Sequence, residues 1–183
     1  GGLLVERASR LLASESVFAS NDASDGGAVY LGVSSTFEAD GCAFKSNFAT
    51  DEGGVALVEE SSNFTATAST FETNAVGGRY SSSGGVASVA YNSTFVAKNS
   101  YFANNEATTD WPDSGGVVSV QYESTFVATN SVFYGNEAVY GGVASVRYSS
   151  TFTTINSSFQ ANVLGSCWQC PRVTTVSHDF SRR

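Results

Sequence analysis

The chain has 183 residues, 42% of them hydrophobic, with 9 Lys plus Arg against 17 Asp plus Glu and a formal net charge of −8. That balance argues against nucleic acid and anionic membranes as partners, since both select for positive charge, and no apolar run approaches the roughly 20 residues that cross a bilayer. The length suits one domain with a substantial core.

The chain opens GGLLVERASR, contains no Met, and lacks at its start the basic, apolar, small-residue order of a signal peptide. It therefore reads as a processed or truncated piece of a longer protein. Gly-Gly pairs then punctuate it at Gly1, Gly26, Gly53, Gly84, Gly115 and Gly141. Fixed punctuation of this kind is the signature of a repeat architecture.

Taken in chain order, the first unit carries Leu12, Phe18 and Asn21 at the marker positions, with one residue missing before Phe18. The second has Phe37, Phe44 and Asn47; the third Phe64, Phe71 and Asn74; the fourth Phe95, Phe102 and Asn105. Phe126, Phe133 and Asn136 mark the fifth, and Phe152, Phe159 and Asn162 the sixth. From the second unit on, the two Phe stand eleven and eighteen residues after the first Gly, and the Asn three further. A unit that cannot bury its own apolar face must stack on copies of itself, and stacked copies need like residues at like heights.

Within each unit the apolar spacing is close to two: Val118 and Val120, Ala144 and Val146, Phe95 and Ala97, Phe126 and Ala128. Val, Thr, Phe and Tyr dominate over helix formers. The pattern predicts an all-β chain in which each unit holds two or three short strands, a Gly-Gly corner and an Asn corner. That is one turn of a parallel β-helix, rising by a strand spacing of about 4.8 Å. Residues 1–166 form about six such turns, and residues 167–183 are a Cys-containing tail.

The tetrapeptides make the comparison more specific. GGAV at Gly26, GGVA at Gly53, Gly84 and Gly141, and GGVV at Gly115 are each followed by an F-x-x-N: FKSN, FETN, FANN, FQAN and, after Gly115, FYGN. Paired in one unit, they resemble the GGA(I/L/V) and FxxN repeats of chlamydial polymorphic membrane proteins. Similar repeats occur in autotransporter-like and protist surface proteins. The resemblance covers residues 1 to about 166. It implies a right-handed, pectin-lyase-like solenoid working as an extracellular scaffold or adhesin, and brings no catalytic residue with it.

The Phe columns are expected in the core, ring above ring. The Asn column is expected to satisfy corner backbone groups and to pass amide hydrogen bonds from turn to turn. Each Gly pair is expected where φ is positive or where turns approach too closely for a Cβ. Thr36, Thr94, Thr125 and Thr151, together with Thr65, Val96, Val127 and Thr153, should form an outward grid interrupted by Asn63 and Glu38. Such a grid raises ice binding, but plain β-propensity on a wet face is the preferred reading because of those interruptions. Tyr91, Tyr122 and Tyr148 recur seven residues after the Gly pair, where earlier units have Val33 and Glu60. They form either an aromatic stripe for carbohydrate or a partner, or a roof over the core, structural stacking being preferred.

Two insertions, GGRYSSS from Gly77 and TTDWPDS from Thr108, leave the same corner on consecutive turns. Insertions on one face of a repeat protein are common binding sites. Arg79, Tyr80, Asp110, Trp111 and Asp113 therefore form the candidate loop patch. Asn63 (NFT), Asn92 (NST) and Asn156 (NSS) are glycosylation sequons that fit a secretory route.

Cys42 stands in a column otherwise filled by Ser and reads as a small buried residue. Cys167 and Cys170, in CWQCP, are read as a disulfide closing the end of the prism or as the start of a Cys-rich segment. Zinc lacks two further ligands, since His178 is the only His.

β-Helices also host polysaccharide lyases and hydrolases, which need clustered carboxylates or a Ca²⁺ site with a cationic base. The repeats contain no His, and their Asp residues fall mostly near corners. No cofactor or metal is expected. The expectation is a non-catalytic, secreted or cell-surface scaffold whose partners are other protein subunits, by end-to-end self-assembly among other routes, or glycans. The runner-up is a carbohydrate-active enzyme and the third reading an ice-binding protein.

Overall fold

The computed structural model describes residues 2–78, 84–108 and 114–164. Among them every regular element is a strand, and the strands fall into four parallel sheets of six. Each sheet collects one strand from every coil, in chain order, so the chain is a parallel β-solenoid of six coils.

The first sheet holds Leu3–Val5, Val29–Leu31, Ala56–Val58, Ala87–Val89, Val118–Val120 and Ala144–Val146. The second holds the longest regular run, the five-residue strands Arg10–Ser14, Thr36–Asp40, Asn63–Thr67, Thr94–Lys98, Thr125–Thr129 and Thr151–Ile155. The third starts with Val17–Ala19 and Ala43–Lys45 and ends with Ser158–Gln160. The fourth starts with Asp22–Asp25 and Phe48–Glu52 and continues as two-residue strands such as Ala75–Val76.

Each coil thus has four strands, where the sequence suggested two or three. The fourth strand is mostly too short to display an alternation, so its pairing shows only in three dimensions.

Register makes columns of the repeated letters. Phe64 pairs with Phe37 below and Phe95 above, and Phe71 with Phe44 and Phe102. Eight Phe rings, from Phe37 and Phe44 through Phe126 and Phe133, are fully buried. In the second column successive rings stack 4.7 to 4.9 Å apart, and the two columns meet edge to face at 6.0 to 6.4 Å. Stacking along the axis and T-contacts across it are both favourable aromatic geometries. Each buried ring contributes about 1.5–3 kcal/mol through loss of apolar surface from water. In the last described coil Phe152 is half-buried and Phe159 is 46% exposed.

The first coil needs a correction. Leu11, and not Leu12, pairs with Phe37, while Leu12 pairs with Glu38 and is 61% exposed. The missing residue lies before this strand. A one-residue slip sends every side chain of a strand to the opposite face. Phe18 pairs with Phe44.

Three of the four corners are turned by residues in the left-handed region, each followed by a side-chain acceptor. At the first corner two successive residues have positive φ, as in Val33–Ser34, Glu60–Ser61, Tyr91–Asn92, Tyr122–Glu123 and Tyr148–Ser149. A Ser follows each pair, and its hydroxyl accepts the backbone N–H of the Ser one coil below: Ser62 N–H donates to Ser93 Oγ at 3.1 Å, and Ser93 N–H to Ser124 Oγ at 3.1 Å. At the second corner one such residue precedes Cys42, Ser69, Ser100, Ser131 or Ser157, and the same relay runs upward.

At the third corner Asn takes over. Asn74 donates its backbone N–H and its Nδ2 to Asn105 Oδ1, both at 3.0 Å, while its Nδ2 also reaches the Phe44 carbonyl at 3.0 Å. The same bonding links Asn21, Asn47, Asn105, Asn136 and Asn162 into one ladder. The ladders satisfy donors that a corner would otherwise leave unpaired inside the molecule.

The fourth corner is the Gly pair. Gly26 has φ +56°, and a Cβ there would stand 2.1 Å from the Val29 carbonyl oxygen. On Gly27 it would stand 2.2 Å from the carbonyl oxygen of Gly54 in the next coil. Close approach thus excludes a Cβ on both members of the pair, and positive φ adds to it at Gly26 and Gly53.

Candidate functional site

With the interior given to ladders, function falls to outward positions. On the second sheet alternate residues point outward in three columns that include Thr36, Asn63, Thr94, Thr125 and Thr151, then Glu38, Thr65, Val96, Val127 and Thr153. The face is regular, but Arg10 pairs with Glu38 at 2.8 Å, and Asp40 and Lys98 add further charge.

The loop patch, Arg79, Tyr80, Asp110, Trp111 and Asp113, lies outside the described residues, as do Cys167, Cys170 and His178. The bases of the two insertions are described and adjacent. Thr108 N–H donates to the Val76 carbonyl at 3.0 Å, and a Cβ on Gly77 would meet Thr108 Oγ1 at 2.7 Å. Of the sequons, Asn63, Asn92 and Asn156 are all exposed. Asn63 stands in the second sheet's outward face, and Asn92 at a left-handed corner.

A carboxylate environment appears at the edge of the first sheet. Glu52 Oε2 accepts from Ser88 Oγ at 2.8 Å; burial pushes the Glu52 carboxyl above its ordinary range, and the Ser88 bond opposes part of that shift. Asp25 is also raised, by burial and then by the charge of Asp51. Tyr30 donates its hydroxyl to Glu59 Oε1, and burial followed by that carboxylate pushes its pKa up. Among the described residues no group of three or more His, Cys, Asp or Glu could hold a metal ion.

The tyrosines make the most distinctive surface. Tyr91 and Tyr122 stack at 4.9 Å with planes 2° apart, and Tyr122 and Tyr148 at 4.7 Å and 3°. Their exposures are 53%, 41% and 53%, so the column does not roof the core. The backbone explains this. All three have φ between 50° and 54°, in the left-handed corner, which aims the side chain away from the solenoid axis. Such a corner is served most cheaply by Gly or Asn. Three consecutive coils instead place a large ring there, where it adds little to the core.

The stack walls an open groove of about 660 Å³. The column continues downward through Glu60 to Val33, since Ser61 N–H donates to the Tyr91 carbonyl and Ser34 N–H to that of Glu60. Asn92, Glu123 and Ser149, each one residue past a ring, line the groove beside the stack. It therefore offers aromatic surface, two carboxylates, an amide and hydroxyls, a set suited to holding a ligand by contact and hydrogen bonding.

Sequence reasoning found the Tyr column with Glu60 in it but not Glu123 beside it; it saw the Ser column around Cys42 without its hydrogen-bonding role, and it missed the Ser column of the first corner. The signal was present: Ser stands nine residues after each Gly pair from Ser35 to Ser150, and again sixteen after it from Ser69 to Ser157. In a chain this rich in Ser the first of these columns is hard to see against the background.

Comparison with curated proteins and with solved structures returned no match. A family model described as "Right handed beta helix region" matches residues 1–174, nearly the whole chain. With four six-stranded parallel sheets stacked coil on coil, the chain belongs to the right-handed β-helix family.

Proposed function

We propose that this chain is a non-catalytic scaffold, secreted or displayed at a cell surface, that holds a binding groove rigid for contact with other proteins or with glycans. The observation that carries the reading is the exposed stack of Tyr91, Tyr122 and Tyr148 in an open, hydrogen-bonding groove. Exposed aromatic surface beside polar groups is the composition of contact sites, and the stacked coils beneath keep it preorganised. The exposed sequons at Asn63, Asn92 and Asn156 and the resemblance of the Gly-Gly and FxxN repeats to chlamydial polymorphic membrane proteins and related surface proteins support the location.

The test is binding of the chain to an array of glycans and extracellular proteins, repeated with Tyr122→Ala. Binding that falls at least tenfold in the variant supports the reading. Turnover of uronate polymers or other polysaccharides by the unmodified chain would overturn it in favour of the carbohydrate-active alternative. Ice binding has the regular second-sheet face in its favour and the charges of Glu38, Asp40 and Lys98 against it. Thermal hysteresis at micromolar protein would establish it.

A further inference from the structure

We infer that the tyrosine groove is a docking site for an arginine-bearing segment of a partner protein, with the guanidinium seated at the Glu60–Tyr91 end. The inference rests on the scaffold reading and names the chemistry of its partner.

Tyr122 has a ring on both sides, but Tyr91 has one only above it. One coil lower, at the equivalent position in the corner, stands Glu60, with the backbone registered by the Ser61 N–H bond to the Tyr91 carbonyl at 2.9 Å. The groove wall is therefore a ring with a carboxylate in the next row down. Glu123 supplies a second carboxylate beside the middle ring.

A cation is the ligand this set favours. A ring face attracts positive charge through its quadrupole, and the carboxylate adds direct attraction and hydrogen-bond acceptors. Arginine fits better than lysine because its planar guanidinium can stack on a ring while its N–H fork addresses a carboxylate. Charge complementarity extends beyond the groove, since a chain of net charge −8 draws a basic partner toward it. The groove also has polarity. Glu60 lies at its third-coil end, whereas the sixth-coil end beside Tyr148 carries Ser149 and no carboxylate, so a bound cation belongs at the former. A neutral glycan would use the rings but gain nothing from the carboxylates.

The test measures affinity of the whole chain for a short peptide of alternating Arg and Ser, for the same peptide with Lys, and for a glycan array, with NMR shifts locating the site. The Arg peptide should bind in the groove and more tightly than the Lys peptide. Glu60→Gln and Tyr91→Leu should each weaken it about tenfold. Asp40→Asn, an equal loss of charge on the second sheet, should leave it within twofold. Equal weakening by Asp40→Asn, or shifts outside the groove, would mean that the peptide follows net charge alone and would sink the proposal. Glycans binding the groove in a Tyr122-dependent way, without the Arg peptide, would overturn the cation assignment and leave the scaffold reading standing. If neither binds, the arginine assignment fails, and the scaffold reading fails with it only if the extracellular proteins of the array also leave the groove empty.

Discussion

Val33 shows what the first corner demands of a residue. Its φ is 52° and its side chain is 44% exposed, so it holds a conformation that β-branched residues avoid and gains little burial in return. The left-handed region costs an ordinary L-residue about 1–2 kcal/mol, and Asn is among the few types that occupy it routinely. Asn92 does so, one position along on a higher coil, with φ 60°. Val33→Asn should therefore stabilise the chain by about 1 kcal/mol, read as a higher urea midpoint at unchanged slope. The tyrosines above it occupy the same conformation, and their presence there points to a use other than folding.

At the level of the element, the corner ladders do what the strands cannot. A strand satisfies its backbone against its neighbours, but a corner turns donors inward, and the Ser and Asn columns accept them. Asn105 is fully buried and makes four such bonds: it accepts the Asn74 N–H and Nδ2 at 3.0 Å and donates to the Phe71 carbonyl and to Asn136 Oδ1 at 2.9 Å. Removing one partner strands buried groups at about 1–3 kcal/mol each. Asn105→Ala should destabilise by about 3 kcal/mol or more in urea unfolding, and Asn162→Ala, at a half-buried rung, by clearly less. Equal costs would show that the rungs do not depend on exclusion of water. Cys42, in a Ser column, donates its thiol weakly to the Asp40 carbonyl at 3.5 Å, so the ladder tolerates a poor rung.

For the whole molecule, the raised carboxyls set a pH dependence. Glu52 and Asp25 titrate above their ordinary values in the fold, mainly because burial disfavours the charged form. As pH rises past the usual carboxylate range of about 4, the unfolded chain releases these protons before the native one does. The native state then holds more protons, so stability falls with rising pH until the folded groups have also ionised. Glu52→Gln removes its share of that penalty and can still accept from Ser88. The variant should melt higher than the unmodified chain at pH 7 and at about the same temperature at pH 4. A gap independent of pH would contradict burial as the cause.

The repeat, the parallel coils and the Phe and Asn columns were legible in the letters because stacking a unit on its copies forces like residues to like heights. A period read along the chain becomes a column in space with no further information needed. Tertiary structure decided what a period cannot encode. The slip that puts Leu11 in the core and Leu12 in solvent turns on where one residue is lost, and the fourth strand is too short to alternate. Exposure of the Tyr column depends on backbone handedness at its corner, which recurs in Val33, Glu60 and Tyr91 alike and so leaves no mark in composition. Glu60 meets Tyr91 in one groove only because coil closure sets residues 31 apart in sequence one strand spacing apart along the axis.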